Sequence, residues 1–502
     1  MPETAQPVVV IAGAGVSGLA TGLAIQDLAR QRGICPPALH LFEPQRQVGG
    51  KIRTIRADGF TCEWGVNGFL NKEPRTIELC RRLSLDDRLL PASGAFNKRY
   101  IYTRGKLRAV KMHPLKFLFS GILPLGAKLR LIRELWVPSR PPSGDSDESV
   151  ADFARRRVGP VAFQTLVDPM QTGIYAGDPE QMSVVSSFPR VVEVEREYGS
   201  LIRGMARLGR ERRRQGAPNS AASSRSAPKG REDPNSDLPG AGPSGHLTSF
   251  IGGMQTLVDR LAQELGPAVH CGTRVTRIER RDGGGYRVAL ERDSGDIESM
   301  EADGVILACP AHEAAAIAAQ LDADLAAPLS EIAYSPLAVV CLGFPREQVA
   351  HPLDGFGFLV PRPEGLRILG ALWTSTLFPE RAPQGQVLVR VMIGGARDPD
   401  VLQLDDGELG ALVQEEIRRV HGAMGPPSFV RLFRHPAAIP QYQLGHHQRL
   451  DRIERRLGGL PGLFITGNAY RGIGVNDCAR NAHVLAAEVA DWLSGRSPRP
   501  AT

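Results

Sequence analysis

Apolar and polar positions follow two different periods along this chain of 502 residues. The stretch "VVVIAGAGVSGLATGLAIQDLA" begins with a continuous β-branched run, passes through glycines and continues with apolar residues at helical spacing. This order predicts a strand that is buried on both faces, as in a parallel sheet, followed by a helix. "ALHLFEP" and "ADGVILACP" are further apolar runs of strand length. The pattern therefore predicts an α/β unit with a parallel sheet.

The later part of the chain repeats this arrangement. "IGGMQTLVDRLAQEL" ends as an amphipathic helix, and "VHCGTRVTRIER" and "YRVALERD" predict two strands joined by the turn "RDGGG". Near the C terminus, "GLFITG" predicts a strand, "GNAYRGIGVNDC" a glycine-rich turn, and the residues from Cys478 a helix. A strand, a glycine turn and a helix thus occur at both ends of the chain. We interpret the two ends as parts of one ligand site.

The length exceeds what a single hydrophobic core usually supports, so at least two packed units are expected. The segment 97–140 stands out by its charge, because it holds eleven Lys or Arg residues and a single acid, Glu134, whereas the whole chain carries +7. Its apolar stretch Leu115–Leu125 is too short to span a bilayer. A basic amphipathic segment of this kind can lie in the interface of an anionic membrane. A helix packed on a core, with a solvated basic face, is the open alternative.

A second change in composition covers Arg210 to Gly245, where Ser, Pro, Gly, Arg and Asn dominate. Such a stretch buries too little apolar surface to offset its ordering entropy, so we predict a disordered insertion. No aromatic residues interleave with its basic ones, which argues against nucleic-acid binding. The seven cysteines show neither CxxC nor metal-ligand spacing. This predicts a reducing compartment, no disulfide framework and no metal site, and the N-terminal apolar run lacks the basic start of a signal peptide.

The N-terminal glycines have the spacing of a dinucleotide site. Gly13 allows the tight turn, Gly15 lets a pyrophosphate approach the backbone, and Gly18 lets the helix pack on the strand. An acid at the end of the second strand should accept hydrogen bonds from ribose hydroxyls. Glu43, at 25 residues after Gly18, has this place.

The double glycine Gly49-Gly50, followed by Lys51, resembles the second FAD fingerprint of the amine-oxidase and protoporphyrinogen-oxidase superfamily. Gln47 departs from that pattern, which has Arg there, and the neighbouring Arg46 leaves a shifted contact open. The resemblance implies FAD as the cofactor. It also implies that the backbone of Val275 contacts the adenine side; a plain core role for Val275 is equally open.

Three further stretches narrow the resemblance. "EWGVNGFLNKEP" resembles the "GP(N/D)SF" turn of oxygen-dependent protoporphyrinogen oxidases, with Val66 in place of Pro. "LVDPMQTGIYAGDPEQMS" and "GNAYRGIGVNDC" are similar to their "SGVYAGDP" and "GNSYRGIGIPDC" motifs. For "GNAYRGIGVNDC", the alternative is a helix cap that binds no ligand, formed by Asn476 or Asp477. The predicted cofactor-binding residues are Gly13, Gly15, Val16, Ser17, Gly18, Glu43, Pro44, Gly49, Gly50, Lys51, Gly65, Val66, Asn67, Val275, Gly467, Val475 and Asp477.

This resemblance covers nearly the whole chain except the polar insertion. It implies an FAD-dependent enzyme of haem biosynthesis that oxidises protoporphyrinogen IX to protoporphyrin IX. Six electrons leave in three flavin cycles, and molecular oxygen becomes hydrogen peroxide. The chemistry is centred on the flavin, so no catalytic side chain is nominated.

A tetrapyrrole needs a flat apolar slot and a cation for its carboxylate arms. "NKRYIYTRG" is similar to the family stretch whose Arg pairs with a propionate, which implies this role for Arg99, with Lys98 assisting. "DGFGFLVP" and "LWTSTLFPERAP" resemble the stretches that line the slot. The predicted substrate-binding residues are Arg99, Gly173, Phe356, Leu359 and Phe378. A surface Arg and ordinary core residues are the alternatives for these positions.

The resemblance implies a Rossmann-like FAD-binding domain built from both chain ends, a β-sheet substrate-binding domain and a mainly helical membrane-binding insertion. The predicted boundaries are 1–74, 248–312 and 441–502 for the FAD-binding domain, 75–205 for the helical insertion, 206–247 for the disordered linker and 313–440 for the substrate-binding domain. The expected location is cytoplasmic, peripheral on the inner face of the membrane. A contact with ferrochelatase and a homodimer are left open.

Three alternative functions remain open at this point. Related enzymes oxidise coproporphyrinogen III, which has four propionates, to coproporphyrin III, and the basic segment suits that substrate as well as lipid. An amine oxidase or carotenoid desaturase on the same fold fits "YAGDP" and "YRGIG" poorly. The third rival is an inactive flavin-binding scaffold or porphyrin carrier, which the departures at Gln47 and Val66 keep open.

Overall fold

The structure is a computed structural model that describes residues 6–110, 120–139, 147–215, 245–422 and 424–495. The strands of the described residues are β1 Val8–Ala12, β2 Ala38–Glu43, β3 Thr54–Ala57, β4 Phe60–Glu63, β5 Phe69–Leu70, β6 Leu89–Pro91, β7 Arg99–Thr103, β8 Lys106–Ala109, β9 Leu247–Phe250, β10 Val269–Cys271, β11 Thr273–Arg280, β12 Tyr286–Arg292, β13 Ile297–Ala302, β14 Gly304–Leu307, β15 Tyr334–Pro345, β16 Gly357–Leu359, β17 Ile368–Trp373, β18 Gln386–Gly394, β19 Phe429–Pro440 and β20 Leu463–Ile465.

The α-helices of the same residues are α1 Val16–Gln31, α2 Pro74–Arg82, α3 Leu125–Ile132, α4 Val150–Val158, α5 Pro160–Ala162, α6 Asp168–Tyr175, α7 Val184–Ser187, α8 Pro189–Tyr198, α9 Leu201–Gln215, α10 Gln255–Leu265, α11 Ala311–Ala318, α12 Ala323–Ser330, α13 Thr374–Leu377, α14 Asp406–His421, α15 His446–Gly458 and α16 Val475–Ser494. A π-helical turn, Phe163–Val167, joins α5 to α6.

The chain forms two compact units. The first consists of Met1–Pro91, Leu247–Ser335 and His435–Thr502, and the second of Ala92–His246 and Pro336–Arg434. Both units are thus built from distant parts of the sequence, as the pattern at the chain ends predicts for the first.

The boundaries of these units differ from the predicted ones. Helix α2 belongs to the first unit, whereas the predicted helical insertion begins at residue 75. Helices α11 and α12 pack in a core of the first unit, so the second unit resumes at Pro336 and not at residue 313. The predicted linker begins at residue 206, but helix α9 continues to Gln215.

A five-stranded parallel sheet with the order β10-β2-β1-β14-β20 lies in the first unit. Successive side chains of β1 point to opposite faces, as in any strand. Val9 and Ile11 belong to a core that includes residues of α1, α10 and α16, and Val10 and Ala12 to a core that includes residues of β11, β12 and α11. Both faces of the sheet are therefore covered, which explains the continuous apolar run of β1.

The second unit contains a seven-stranded sheet with the order β19-β15-β18-β17-β16-β7-β8. Strands β7 and β16 are parallel neighbours, with Arg99 beside Gly357 and Ile101 beside Leu359. Helices α3 to α9 come from residues 125–215 of this unit. The mainly helical insertion is predicted for residues 75–205, a range that also contains strands β6, β7 and β8.

Parts of two predicted segments lie outside the described residues. These are residues 111–119 of the basic apolar segment and residues 216–244 of the polar insertion. In the described part of the chain, none of the helices combines the length and the apolar character needed to cross a bilayer.

Candidate functional site

The two glycine-rich chain ends meet at one edge of the parallel sheet. Strands β1 and β20 flank β14, and all three run in the same direction, so their carboxyl ends share an edge. Helices α1 and α16 begin there, after Gly15 and Gly474. The two helices pack against each other. Helix N-termini at the carboxyl edge of such a sheet present free amides to a ligand.

The first glycine turn is closely packed on one side and open on the other. A Cβ added to Gly18 would lie 2.0 Å from the carbonyl oxygen of Gly13, so the helix can approach the turn only because residue 18 has no side chain. A Cβ added to Gly15 would have no heavy atom within 4 Å. A phosphate group has room beside the backbone at Gly15, as predicted.

The Glu43 carboxylate is buried at the end of β2 and is held by backbone amides. Oε2 accepts from the amide of Ala14 at 3.0 Å, and Oε1 from the amide of Gln45 at 3.1 Å. Burial raises the pKa of Glu43, and these hydrogen bonds together with the charge of Arg53 oppose that rise. Each carboxylate oxygen keeps a second lone pair, which a ribose hydroxyl can use.

The double glycine Gly49-Gly50 packs directly on the glycine turn that follows β1. The amide of Gly49 donates to the carbonyl of Ala14 at 2.9 Å, and Gly49 pairs with Gly15 in a short bridge. Gln47 is exposed, and the neighbouring Arg46 forms a surface ion pair with Asp293 at 3.0 Å. Arg46 is therefore paired with an acid of the protein itself.

Lys51, which follows the double glycine, has a largely buried ammonium group. It donates to the carbonyl of Ala438 and lies 4.9 Å from the centre of the Tyr334 ring. The described residues offer it no carboxylate. Burial lowers the pKa of Lys51 to about 8.

The turn after β4 carries polar atoms that lack protein partners. In the described residues, both side-chain amide atoms of Asn67 are buried without a hydrogen bond. The Nε atom of Arg53, just before β3, is also buried without a hydrogen bond, and the Arg53 guanidinium lies 4.5 Å from the Trp64 ring. Buried polar atoms are costly unless they are bonded, so these atoms fit contacts with a polar ligand. Gly65 is packed on the carbonyl of Lys51, and Val66 packs against the first core.

The C-terminal turn agrees with prediction except for where its helix begins. Helix α16 starts at Val475, three residues before Cys478. Asp477 accepts from the amide of Gly474 at 3.1 Å and from Arg480 at 2.6 Å, so it acts as a cap. Its cofactor contact, like those of Gly467 and Val475, stays a prediction.

Tyr442 supports this turn by hydrogen bonds, although no pattern in the sequence indicated that role. The hydroxyl of Tyr442 donates to the carbonyl of Asn468 at 2.8 Å and accepts from the amide of Gly472 at 2.8 Å. It therefore holds the glycine turn from a distance of 26 residues in sequence. Such a contact has no local pattern that reasoning from spacing can detect.

Val275 follows by two residues Thr273, which lines a cavity at the end of β10. Its side chain is 5% exposed and a β-bulge follows it in β11, so it has a core role whatever its backbone contacts. The cavity has a volume of about 420 Å³ and lies between Arg46, residues 271–273 and residues 292–294. Its position after the ends of β2 and β10 suits the adenosine part of a dinucleotide.

These features together fit FAD. The open backbone at Gly15, the acceptor oxygens of Glu43 and the unbonded amide of Asn67 match a pyrophosphate, a ribose and further polar groups of the cofactor. The residues that would hold it come from both ends of the chain, all within the first unit.

The second unit holds the predicted substrate residues, of which Arg99 has the most informative surroundings. Its guanidinium lies 5.1 Å from the Phe96 ring centre and 5.7 Å from that of Phe356. No carboxylate of the described residues pairs with it, and burial lowers its pKa. A half-buried guanidinium beside two rings, with no carboxylate of its own among the described residues, favours binding of an external anion.

Lys98 does not share this role. Its ammonium pairs with Asp354 and lies 5.2 Å from the Tyr100 ring, on the face of β7 opposite to Arg99. The predicted assistance from Lys98 is therefore wrong in this structure, because alternate strand residues face opposite sides.

Gly173 and Leu359 meet, whereas Phe378 lies apart. A Cβ on Gly173 in α6 would lie 2.7 Å from Cδ2 of Leu359 in β16, so glycine permits this close approach. Phe378 has no accessible surface, and the Arg381 guanidinium lies 5.6 Å from its ring centre. It is a core residue here and offers no wall to an open slot.

Comparisons with known proteins agree with this geometry. The family model of flavin containing amine oxidoreductases matches residues 16–490. Protoporphyrinogen oxidase 1 of Arabidopsis thaliana chloroplasts is 32% identical over 498 residues, covering 97% of this chain and 88% of the relative. Coproporphyrinogen III oxidase of Bacillus subtilis (strain 168) is 29% identical over 495 residues, covering 97% of this chain and 98% of the relative.

Solved structures show the same fold. A crystal structure from Exiguobacterium sp. 255-15, assigned as a protoporphyrinogen oxidase, has a TM-score of 0.77 at 24% identity and covers 97% of this chain and 99% of that one. A reduced UDP-galactopyranose mutase has a TM-score of 0.68 at 15% identity and covers 98% of each chain. The chain therefore belongs to the flavin containing amine oxidoreductase family, and it is an FAD-dependent oxidoreductase.

Proposed function

We propose that this chain oxidises protoporphyrinogen IX to protoporphyrin IX in haem biosynthesis. The substrate loses six hydrogens in three two-electron rounds, and three molecules of oxygen become three of hydrogen peroxide. The observation that carries this proposal is the Arg99 guanidinium, which lies beside two contacting aromatic rings and has no carboxylate partner among the described residues. It suits a large apolar substrate with carboxylate arms, the kind of molecule that the relatives named above oxidise.

The protein side of the reaction is binding and orientation. FAD, when bound, supplies the two-electron redox chemistry. Arg99 holds a propionate, and Leu359 with Gly173 offers apolar surface on the same face of the sheet. Glu43, Asn67 and the two helix N-termini of the first unit hold the cofactor.

The test is turnover of the purified holoenzyme in air, followed by porphyrin fluorescence with protoporphyrinogen IX and coproporphyrinogen III in parallel. We expect protoporphyrin formation with three peroxides per porphyrin. Arg99→Ala should raise KM about tenfold or more, since a charge-assisted hydrogen bond is lost, and Arg99→Lys should restore part of it. Arg419→Ala, an exposed arginine of α14, is the matched control.

Two outcomes would contradict the proposal. Stoichiometric FAD without oxidation of either porphyrinogen would support a flavin-binding scaffold. Oxidation of coproporphyrinogen alone would support the second candidate, a coproporphyrinogen III oxidase.

We also propose that the protein docks as a peripheral protein on the inner, cytoplasmic face of a membrane. Leu125, Leu129, Ile132 and Trp136 are 73%, 55%, 39% and 71% exposed. Their spacing of three or four residues puts them on one side of α3 and the turn that follows it. An exposed apolar row of this kind in a basic segment suits the interface of an anionic bilayer.

Co-sedimentation with anionic phospholipid vesicles tests the docking. The double variant Leu125→Ser with Trp136→Ser should lose most of its binding. Val484→Ser, which removes a 53% exposed apolar residue from α16, should bind as the wild type does. Equal binding by the wild type, the double variant and Val484→Ser would refute the proposal.

A further inference from the structure

Asn476, the second residue of α16, joins this helix to two distant segments of the first unit. Its side-chain Nδ2 donates to the carbonyl of Leu70 at 2.8 Å, and its Oδ1 accepts from the hydroxyl of Thr76 at 2.7 Å. Leu70 ends β5, and Thr76 is a residue of α2 without accessible surface. We call these two hydrogen bonds the Asn476 bridge.

The chemistry of the bonded groups fixes the orientation of the Asn476 amide. A carbonyl oxygen only accepts hydrogen bonds, so the NH2 group of Asn476 faces Leu70. The amide oxygen then faces Thr76, whose hydroxyl donates. An apolar side chain forms neither bond, and an aspartate lacks the donor for Leu70. The Asn476 bridge is therefore specific to asparagine.

The Asn476 bridge connects two parts of the cofactor site. Leu70 comes three residues after Asn67, whose buried amide atoms have no partner among the described residues. The turn that carries Asn67 is fixed to β9 on another side, since a Cβ on Gly68 would lie 2.7 Å from the carbonyl oxygen of Thr248. Asn476 lies in the first turn of α16, next to the amides of the helix N-terminus. The bridge thus sets the position of the Asn67 turn relative to this N-terminus.

This chain departs from the resembling motifs in both segments that the Asn476 bridge joins. Val66 stands where "GP(N/D)SF" has Pro, and Asn476 stands where "GNSYRGIGIPDC" has Pro. Proline fixes φ and is tolerated in the first turn of a helix. Without these prolines both segments have more backbone conformations available. The side-chain hydrogen bonds of Asn476 restrict that freedom again.

We infer that Asn476 is a positioning residue for the flavin half of FAD. Gly15 and Glu43 have the places of the pyrophosphate and of the ribose, which leaves the Asn67 turn and the start of α16 for the flavin half. The Asn476 bridge holds these two segments at the separation that the bound cofactor needs. The inference rests on FAD as the cofactor and is independent of which porphyrinogen the enzyme oxidises.

The experiment dilutes the holoenzyme and follows the fluorescence of released FAD, with and without ADP as a competitor, which gives a dissociation constant for each ligand. We expect Asn476→Ala to raise the constant for FAD about tenfold and Thr76→Val about threefold, since two hydrogen bonds and one are lost, respectively. The constant for ADP should stay as in the wild type, because Gly15 and Glu43 hold this half of the cofactor. Thr76→Ser keeps the hydroxyl and should bind FAD as the wild type does.

Thr21→Val is the matched control. Thr21 of α1 also has no accessible surface, but its hydroxyl has no hydrogen-bond partner in the described part of the chain. This variant should change neither constant. Asn476→Pro restores the residue of the resembling motif and should bind FAD more tightly than Asn476→Ala.

A rise of the FAD constant without a rise of the ADP constant supports the positioning role. Unchanged constants in Asn476→Ala refute it, and an equal rise for FAD and ADP refutes it as well, because that shows a general loss of structure. Equal weakening by Asn476→Pro and Asn476→Ala would overturn the link to the missing proline. If Asn476→Ala does not fold, Thr76→Val gives the same comparison.

Discussion

Glu43 illustrates how a single residue acts through the backbone. Its carboxylate accepts two amide hydrogen bonds that close the turns after β1 and β2, while its free lone pairs point to a ribose contact. We expect Glu43→Ala to raise the dissociation constant for FAD at least about tenfold, because both a charged acceptor and the turn geometry are lost. Fluorescence of FAD released on dilution measures this. Glu291→Ala, an exposed acid on β12, should retain FAD fully; equal retention by Glu43→Ala would contradict the expectation.

Lys51 gives a prediction about pH. Its pKa in the folded protein is about 8, below the ordinary value of 10.5, because burial disfavours the charged form. Between these two values the unfolded chain binds more protons than the folded one, so the free energy of unfolding rises with pH in this window. The rise is at most about 3 kcal/mol for a shift of this size.

We therefore expect stability of the flavin-free protein to increase from pH 8 to pH 10 more in the wild type than in Lys51→Met. Urea unfolding at several pH values measures the difference. Parallel curves for the two proteins would show that Lys51 keeps an ordinary pKa.

At the scale of elements, one buried acid holds the helical part of the second unit together. Glu134, the single acid of the basic segment 97–140, pairs with Arg157, and neither side chain is exposed. Its oxygens also accept from the Ser200 hydroxyl at 2.6 Å and from the amide of Leu201 at 2.8 Å. Glu134 thus joins the turn after α3 to the ends of α4 and α8 and to the start of α9.

Breaking this pair should be costly, since the buried Arg157 guanidinium then keeps only the longer contact with Glu195, at 3.3 Å, and the bonds from Ser200 and Leu201 are lost as well. We expect Glu134→Ala to destabilise the protein by about 3–5 kcal/mol, and Glu193→Ala, which breaks an exposed pair with Arg190, by less than about 1 kcal/mol. Urea unfolding checks both values. A loss for Glu134→Ala as small as that for Glu193→Ala would refute the anchoring role.

The pKa of Glu134 gives the same network a pH dependence. Burial alone would raise this pKa, but the bonds from Ser200 and the backbone and the charge of Arg157 lower it overall. A lowered carboxyl pKa contributes stability that is present above about pH 4.5 and is lost as the pH falls through the folded value. Glu134→Ala should therefore weaken the acid sensitivity of unfolding.

At the scale of the whole molecule, the predicted cofactor residues connect segments that are more than 400 residues apart. Gly15 and Glu43 come from the first 50 residues, and Gly467 and Val475 from the last 40. A ligand that contacts both ends binds only the folded arrangement, so it stabilises by mass action. We expect FAD at about 100 times its dissociation constant to add about 2.7 kcal/mol to the stability of the first unit.

Calorimetric scans of flavin-free and FAD-loaded protein measure this effect as an increase in Tm. FMN, which lacks the adenosine part, is the control and should raise Tm much less. An equal shift with both would show that the Glu43 end of the site contributes nothing.

The sequence alone determined the features that depend on local spacing. The apolar run of β1, the glycines that follow it and the acid after β2 predict the parallel sheet and the dinucleotide site, because each constraint acts within a few residues. The glycine turn near Gly467 was equally visible, although its helix begins three residues earlier than predicted. A buried strand, a tight turn and a helix N-terminus each leave a pattern in neighbouring residues.

The tertiary structure alone decided the roles that depend on distant partners. Lys98 pairs with Asp354, Phe378 is fully buried, and Arg99 lies beside two rings with no carboxylate partner among the described residues. None of these facts follows from a residue's neighbours in sequence. The same holds for Tyr442 beneath the C-terminal turn. A side chain's charge partner and burial are set by packing between remote segments, which local pattern does not encode.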